Sequence, residues 1–386
     1  MKIVEVRELA VRMTGHIANA VVDFSRHDIS LVAVISDVIR NGKPVTGLAF
    51  NSIGRFAQSG IIRDRLIPRI MSATPEAYTD STGELSPAAL KKVMMRDEKP
   101  GGHGDRASAI AAIELAAWDL CAKLADAPAY SVIAQHFDRT AADTVSVYAA
   151  GGYYYPNDGT ERLRDELKSY QDMGFTKFKV KVGGVSARDD IARLETAIQQ
   201  AGSGQNISVD ANGRFDLESA ITLGQMLKPY GLRWYEEAGD PLDYDLNRQV
   251  IEAYQAPVAT GENLFSALDV QNLLRHGGMR PGIDVFQMDA GLSYGLTEYA
   301  DMIALMEAHG FDRAMAYPHG GHLLNLHIVA ALNLGGCEAY PSVFQPFGGY
   351  LPDLEIREGM IGLPDHPGFG LEAKPELLPH IEKLIA

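Results

Sequence analysis

Three carboxylates recur at a fixed interval in this chain. Asp210 and Glu236 are 26 residues apart, and so are Glu236 and Glu262. Upstream, the segment TKFKVKVGG at 176–184 alternates like a β-strand and carries Lys179 and Lys181 on one face. Downstream stand Asp289, His319 and Glu338. Three carboxylates brought to one point need compensating charge. A hard divalent cation supplies it, and magnesium suits a site that keeps open positions for a substrate. Two lysines beside such a site lower each other's pKa, which leaves a neutral amine able to accept a proton. An aspartate beside an imidazole orients the ring and favours its protonated form, as a general acid requires. Within HGGHLLNLH, His322 and His327 are expected to be structural residues at a helix start; a zinc site of His319, His322 and His327 is the weaker alternative.

An interval of 26 residues is one strand plus one helix. After residue 145 the chain offers eight short apolar runs: VSVYAA, TKFKVKV, NISVDAN, LRWYEE, PVATGEN, IDVFQMD, AMAYPH and CEAYPS. Helix-length stretches such as RDDIARLETAIQQAG and LESAITLGQMLKPYG separate them. Eight strands alternating with helices predict an α/β fold, a (β/α)8 barrel over 145–345, with the polar residues above at its C-terminal mouth. A doubly wound open sheet is the structural alternative, but it needs a glycine turn after its first strand, which GGYYYP and KVGGVS match poorly. Residues 1–130 predict a separate α+β module: two β-rich runs, a hairpin signal at Asn41-Gly42, then helical periodicity. The tail, 346–386, is rich in proline and glycine and is expected to return to that module.

The bulk properties limit the function. A net charge of −15 argues against nucleic-acid partners. The most apolar helix, ASAIAAIELAAWDL, is interrupted by Glu114 and Asp119, so no membrane span is expected. Two cysteines, Cys121 and Cys337, fit a reducing cytoplasm, and the N-terminal residues do not resemble a signal peptide. A phosphate-binding barrel enzyme is a weak reading, because HGGH and PFGGY offer only glycine pairs.

With these residues located, the chain resembles the enolase superfamily, in the subgroup related to mandelate racemase. The resemblance rests on Lys179-x-Lys181, on Asp210, Glu236 and Glu262, and on Asp289 with His319; AIELAAWDLCAKLADAPAYSVI and PDHPGFGLE add to it. It departs at Ala238, where many relatives carry proline, and in YSVIAQHF, which lacks a usual glycine. The resemblance implies a barrel capped by the N-terminal module, a magnesium cofactor held by the three carboxylates, and abstraction of the proton α to a carboxylate. In that scheme Lys181 is the base, Lys179 tunes it, and His319, held by Asp289, protonates a departing hydroxyl. A lysine on the sixth strand would mark a muconate-lactonising enzyme, and Asp289 stands against that branch.

The implied activity is dehydration of a hydroxy-dicarboxylic acid or acid sugar, with D-tartrate giving oxaloacetate as the narrowest expectation. Lys99 is then expected to bind the distal carboxylate, ahead of His103 and Arg106. A protonated Glu338 would hydrogen-bond the nearer carboxylate. A racemase using Lys181 and His319 as opposed bases, and a non-catalytic metal-stabilised binding protein, are the alternatives. A cytoplasmic homo-oligomer acting on a small-molecule acid completes the expectation.

Overall fold

The computed structural model describes residues 1–15, 17–155 and 159–386. Three antiparallel strands open the chain: β1 (Ile3–Arg12), β2 (Asp28–Arg40) and β3 (Lys43–Phe50), ordered β1-β2-β3. The β2–β3 turn falls at Asn41 and Gly42, both with positive φ, as a tight hairpin requires. Helices α1 (Pro87–Met94), α2 (Asp105–Leu124) and α3 (Ala129–His136) follow, and α2 packs across β2 and β3. Gly47 of β3 permits the close approach, since a Cβ there would collide with the carbonyl oxygen of Ala116.

The barrel then alternates strand and helix: β4 (Thr144–Ala150), α4 (Thr160–Asp172), β5 (Phe178–Lys181), α5 (Ala187–Ala201), β6 (Ile207–Asp210) and α6 (Leu217–Leu227). It continues through β7 (Trp234–Glu236), α7 (Tyr244–Tyr254), β8 (Val258–Thr260), α8 (Ala267–His276), β9 (Val285–Phe286) and α9 (Leu296–Ala308). After α10 (Leu323–Leu332), β10 (Cys337–Ala339) pairs in parallel with β4 and closes the ring. Strands β4 to β9 are parallel neighbours in chain order.

The seventh predicted strand, AMAYPH, forms no ladder. It makes a single parallel bridge, Phe286 to Ala316, because Arg313–Met315 is a 3-10 turn and Pro318 has no N–H to donate. It still occupies its place in the ring, with Tyr317 N–H on the carbonyl of Phe286 at 2.8 Å and Gly335 N–H on that of Ala316 at 3.0 Å. Below the mouth, Tyr148, Trp234, Ala259 and Val285 form a buried cluster, so the barrel is a packed core and not a pore.

The tail forms a hairpin of β11 (Ile356–Arg357) and β12 (Met360–Gly362), and β12 adds antiparallel to β4. The final helix, α11 (Leu378–Ile385), packs on β1 and β2 of the N-terminal module. The charges inside the apolar helix α2 are the staples of this assembly. Glu114 accepts hydrogen bonds from Leu296 and Thr297 N–H at 2.8 and 3.1 Å, capping α9 of the barrel. Asp119 accepts from Leu48 N–H of β3 and Phe369 N–H of the tail. Among the described residues no helix is long and apolar enough to cross a membrane.

Candidate active site

The sheet register aligns three of the predicted residues. Lys181 of β5 stands opposite Asp210 of β6, which stands opposite Glu236 of β7. Lys179 lies two residues earlier on the same inward face, and both lysines are buried, at 1% and 5% exposure. In-register parallel neighbours point the same way, so these groups meet at one height.

Glu262 arrives differently. The register partner of Glu236 on β8 is Ala259, three residues short of Glu262. The strand ends at Thr260, and the chain folds back through Gly261, at φ 127°, to return the carboxylate inward. Only glycine takes that backbone geometry readily, and a Cβ there would also press on the Gln287 nitrogen at 3.2 Å. With that turn, one oxygen from each of Asp210, Glu236 and Glu262 falls within 4.8 Å of the others.

The donor set suits a hard divalent ion. All three ligands are carboxylates, and Oε2 of Glu262 is buried without a hydrogen bond, with Nε2 of His319 at 3.8 Å. The cluster also carries more acid than base. Lys179 Nζ contacts Glu236 Oε1 at 2.6 Å, Glu338 Oε1 at 2.8 Å and Asp210 Oδ2 at 3.6 Å, while Lys181 Nζ contacts Asp210 Oδ2. Burial and the neighbouring Asp210 charge push the Glu236 carboxyl up to about 8. A cation placed among these oxygens relieves that strain.

Two expectations about charge need correction. Burial alone would lower the pKa of Lys179, but Glu236, Glu338 and Asp210 outweigh it and hold the ammonium well above its usual value. Lys179 is therefore a fixed positive charge here, not a weakened amine. Glu338 was expected to donate a proton. Burial favours that proton, but the charges of Lys179, His319 and Lys181 hold the carboxyl below its usual range, and it acts as an acceptor. Its Oε2 takes Gly320 N–H at 2.9 Å and the Tyr340 hydroxyl at 3.2 Å.

The far side of the cluster is built around His319. Its Nδ1 lies 3.3 Å from Asp289 Oδ2, just beyond β9. Burial lowers the imidazolium, yet Glu262, then Asp289 and Glu338, push its pKa up to about 9. Asp289 is itself fixed by Gly291 N–H at 2.8 Å and by the Ser52 hydroxyl at 2.5 Å. His322 is the N-cap of α10 and His327 accepts Tyr130 N–H at 3.1 Å, so both are structural, and the metal-capable cluster among the described residues includes no histidine.

A cavity of about 260 Å³ opens over the cluster, with Lys181, Glu262 and His319 in its wall. Residues 162–377 match the family described as enolase C-terminal domain-like, and residues 11–134 match the mandelate racemase / muconate lactonizing enzyme N-terminal domain. The chain belongs to this family of the enolase superfamily. It is 30% identical over 280 residues to an arabinonate dehydratase of Saccharolobus solfataricus, spanning 70% of this chain and 71% of that one. To L-talarate/galactarate dehydratase of Salmonella typhimurium it is 28% identical over 345 residues, 88% of this chain and 80% of the relative. Its fold superposes on the crystal structure of L-talarate dehydratase from Polaromonas sp. JS666, complexed with Mg and L-glucarate, with a TM-score of 0.75. That pair is 24% identical, over 96% of this chain and 94% of the other.

In this family member the N-terminal domain shapes the mouth through two segments, one bearing Val22 and Phe24 and the other Ile53 and Arg55. Phe24 stacks edge-on to Phe344 at 4.9 Å and Tyr153 at 6.4 Å, and the Tyr153 ring lies 5.2 Å from Lys181 Nζ. The structure does not bring Lys99 to this cavity. Lys99 is exposed on an outer loop, and its backbone carbonyl accepts Arg106. Arg106 is occupied by Glu98 and Tyr294, and His103 bonds the same Tyr294 hydroxyl at 2.9 Å. The cation that does reach the wall from the N-terminal domain is Arg55, held by Asn263 Oδ1 at 2.6 Å.

Sequence reasoning passed over Ser52, Arg55, Trp234 and Tyr340. Trp234 donates its indole N–H to Glu236 Oε2 at 2.8 Å from two residues back on the same strand. Period-2 alternation signals that pair, as it does Glu338 with Tyr340. Ser52 and Arg55 carry no such signal, since they meet the barrel only through tertiary packing.

Proposed function

We propose that this chain is a magnesium-dependent dehydratase of acid sugars or hydroxy-dicarboxylic acids, with D-tartrate to oxaloacetate as the specific reaction. The observation that carries the reading is the convergence of three carboxylates beneath a cavity whose wall holds Lys181, Glu262 and His319. Relatives that are acid-sugar dehydratases support the reaction class.

Asp210, Glu236 and Glu262 would hold the ion. Bound magnesium would stabilise the negative charge that develops on the substrate carboxylate as the α-proton leaves. Lys181 accepts the C2 proton, and Lys179 adds a fixed positive charge below it. His319, aligned by Asp289, gives its proton to the C3 hydroxyl, which leaves as water. The C2–H electron pair becomes the C2–C3 double bond, and the enol tautomerises to a 2-keto acid. Arg55 takes the distal carboxylate, since its present partners, Asn263 and the Gly54 carbonyl, are neutral. The pairing of His319 with Asp289 suits proton donation to a leaving hydroxyl, the step that separates dehydration from racemisation.

Incubation with magnesium and a panel of hydroxy-diacids and acid sugars, assayed for keto acid, tests the reading. A keto acid from a diacid is the expected result. A stereoisomer with no carbonyl would establish a racemase. Ligand-dependent stabilisation without exchange of the α-proton would establish a binding protein.

A further inference from the structure

We propose that Tyr340 is a positioning residue for His319: its hydroxyl holds the Nε2–H edge of the imidazole at the cavity. The hydroxyl lies 3.3 Å from His319 Nε2 and 3.2 Å from Glu338 Oε2, with all three side chains buried. Glu338 already receives the Lys179 ammonium at 2.8 Å and Gly320 N–H at 2.9 Å, so it is an acceptor-only carboxylate. The phenol has one proton, and that proton goes to Glu338. A lone pair is left facing His319 Nε2, free to accept the N–H that the ring carries there when it serves as an acid.

The imidazole is thus gripped at both nitrogens, by Asp289 at Nδ1 and by Tyr340 at Nε2. A ring flip would exchange nitrogen for carbon at both contacts and lose both bonds. The phenol is itself fixed by packing, edge-on to Phe344 at 4.7 Å, and it shares the cavity wall with Lys181 and His319. The ring is thus held with Nε2 at the cavity before a substrate hydroxyl arrives, which removes an orientational cost from proton transfer.

The catalytic part of this inference rests on His319 as the acid of the proposed dehydratase, so the test has two readouts. Tyr340→Phe keeps the ring and its contacts and removes only the hydroxyl. Side-chain 15N–1H spectra of the full-length protein, with the His319 signal assigned from His319→Asn, should show Nε2 shifted and its proton exchanging faster with solvent at constant pH. Keto-acid turnover should fall roughly 10- to 100-fold, with KM and C2 proton exchange within about twofold of wild type, as expected for a group acting through the imidazole. An unaltered Nε2 signal with unaltered turnover overturns the proposal, as does an equal loss of exchange and turnover with the signal unchanged. If the signal shifts but wild type converts no acid, the positioning stands and the dehydratase reading fails.

Discussion

The hydroxyl of Ser52, which follows β3 of the N-terminal domain, lies 2.5 Å from Oδ2 of Asp289 in the barrel and 3.0 Å from Nε2 of His322. One buried side chain thus ties the capping domain to the carboxylate that orients His319. Ser52→Ala should leave two buried polar atoms short of a partner and cost on the order of 1–3 kcal/mol in denaturant-induced unfolding. Turnover should fall more than substrate affinity. A variant as stable and active as wild type would show that the contact is incidental.

Removal of the proposed base and of the proposed acid should separate by isotope. Lys181→Ala should abolish both keto-acid formation and exchange of the C2 proton with deuterium, a loss on the order of 100- to 10,000-fold. His319→Asn should retain exchange and release little keto acid. Substantial residual turnover in Lys181→Ala would assign the base elsewhere.

Trp234 gives an optical report on the carboxylate cluster, because its indole N–H bonds Glu236 Oε2 at 2.8 Å. The chain has two tryptophans, Trp118 and Trp234. Magnesium titration should change the fluorescence of wild type and of Trp118→Phe, but not that of Trp234→Phe. Calorimetry of Trp234→Phe should show magnesium binding weakened by roughly 10- to 100-fold, and chelation should abolish turnover. Equal affinity in the two proteins would remove Trp234 from the site.

Glu114 accepts four hydrogen bonds, from Leu296 N–H, Thr297 N–H, the Thr297 hydroxyl and the Trp118 indole. Glu114→Gln places an N–H2 against those donors at the start of α9. The expected cost is on the order of 2–4 kcal/mol, measured as a lower denaturation midpoint. An unchanged midpoint would mean the domains are held by other contacts.

Acid should destabilise the fold through two buried histidines. Burial lowers the pKa of His327 to about 3 and that of His322 to about 4, from 6.5 in the unfolded chain. Above 6.5 both states are neutral; as pH falls toward 4 the unfolded chain binds protons that the native state refuses, so stability is lost across that window. Unfolding free energies between pH 7.5 and 4.5 should show this slope, and His327→Gln should flatten it. An identical slope in the variant would place the acid sensitivity elsewhere.

The inward face of the barrel was legible because it is a local property. Alternation puts Lys179 with Lys181, and a repeat of one strand and one helix puts Asp210 in register with Glu236. For Glu262 the equal spacing does not reflect the register: it sits three positions past it, and the turn at Gly261 brings its carboxylate to the other two. AMAYPH had the composition of a strand, but Pro318 and the preceding 3-10 turn left it one bridge.

What the chain determined by itself was the strand-helix order, the inward lysines and acids, and so the chemistry they can perform. Those follow from periodicities of two and of one repeat, which are set by backbone geometry between near neighbours. Tertiary structure alone decided that Arg55 and not Lys99 reaches the cavity, that Ser52 meets Asp289 and Tyr340 meets His319, and that Glu114 and Asp119 are staples inside an apolar helix. Each of these depends on which distant surfaces bury one another, and a buried polar group takes its partner from whatever packing brings within hydrogen-bond reach.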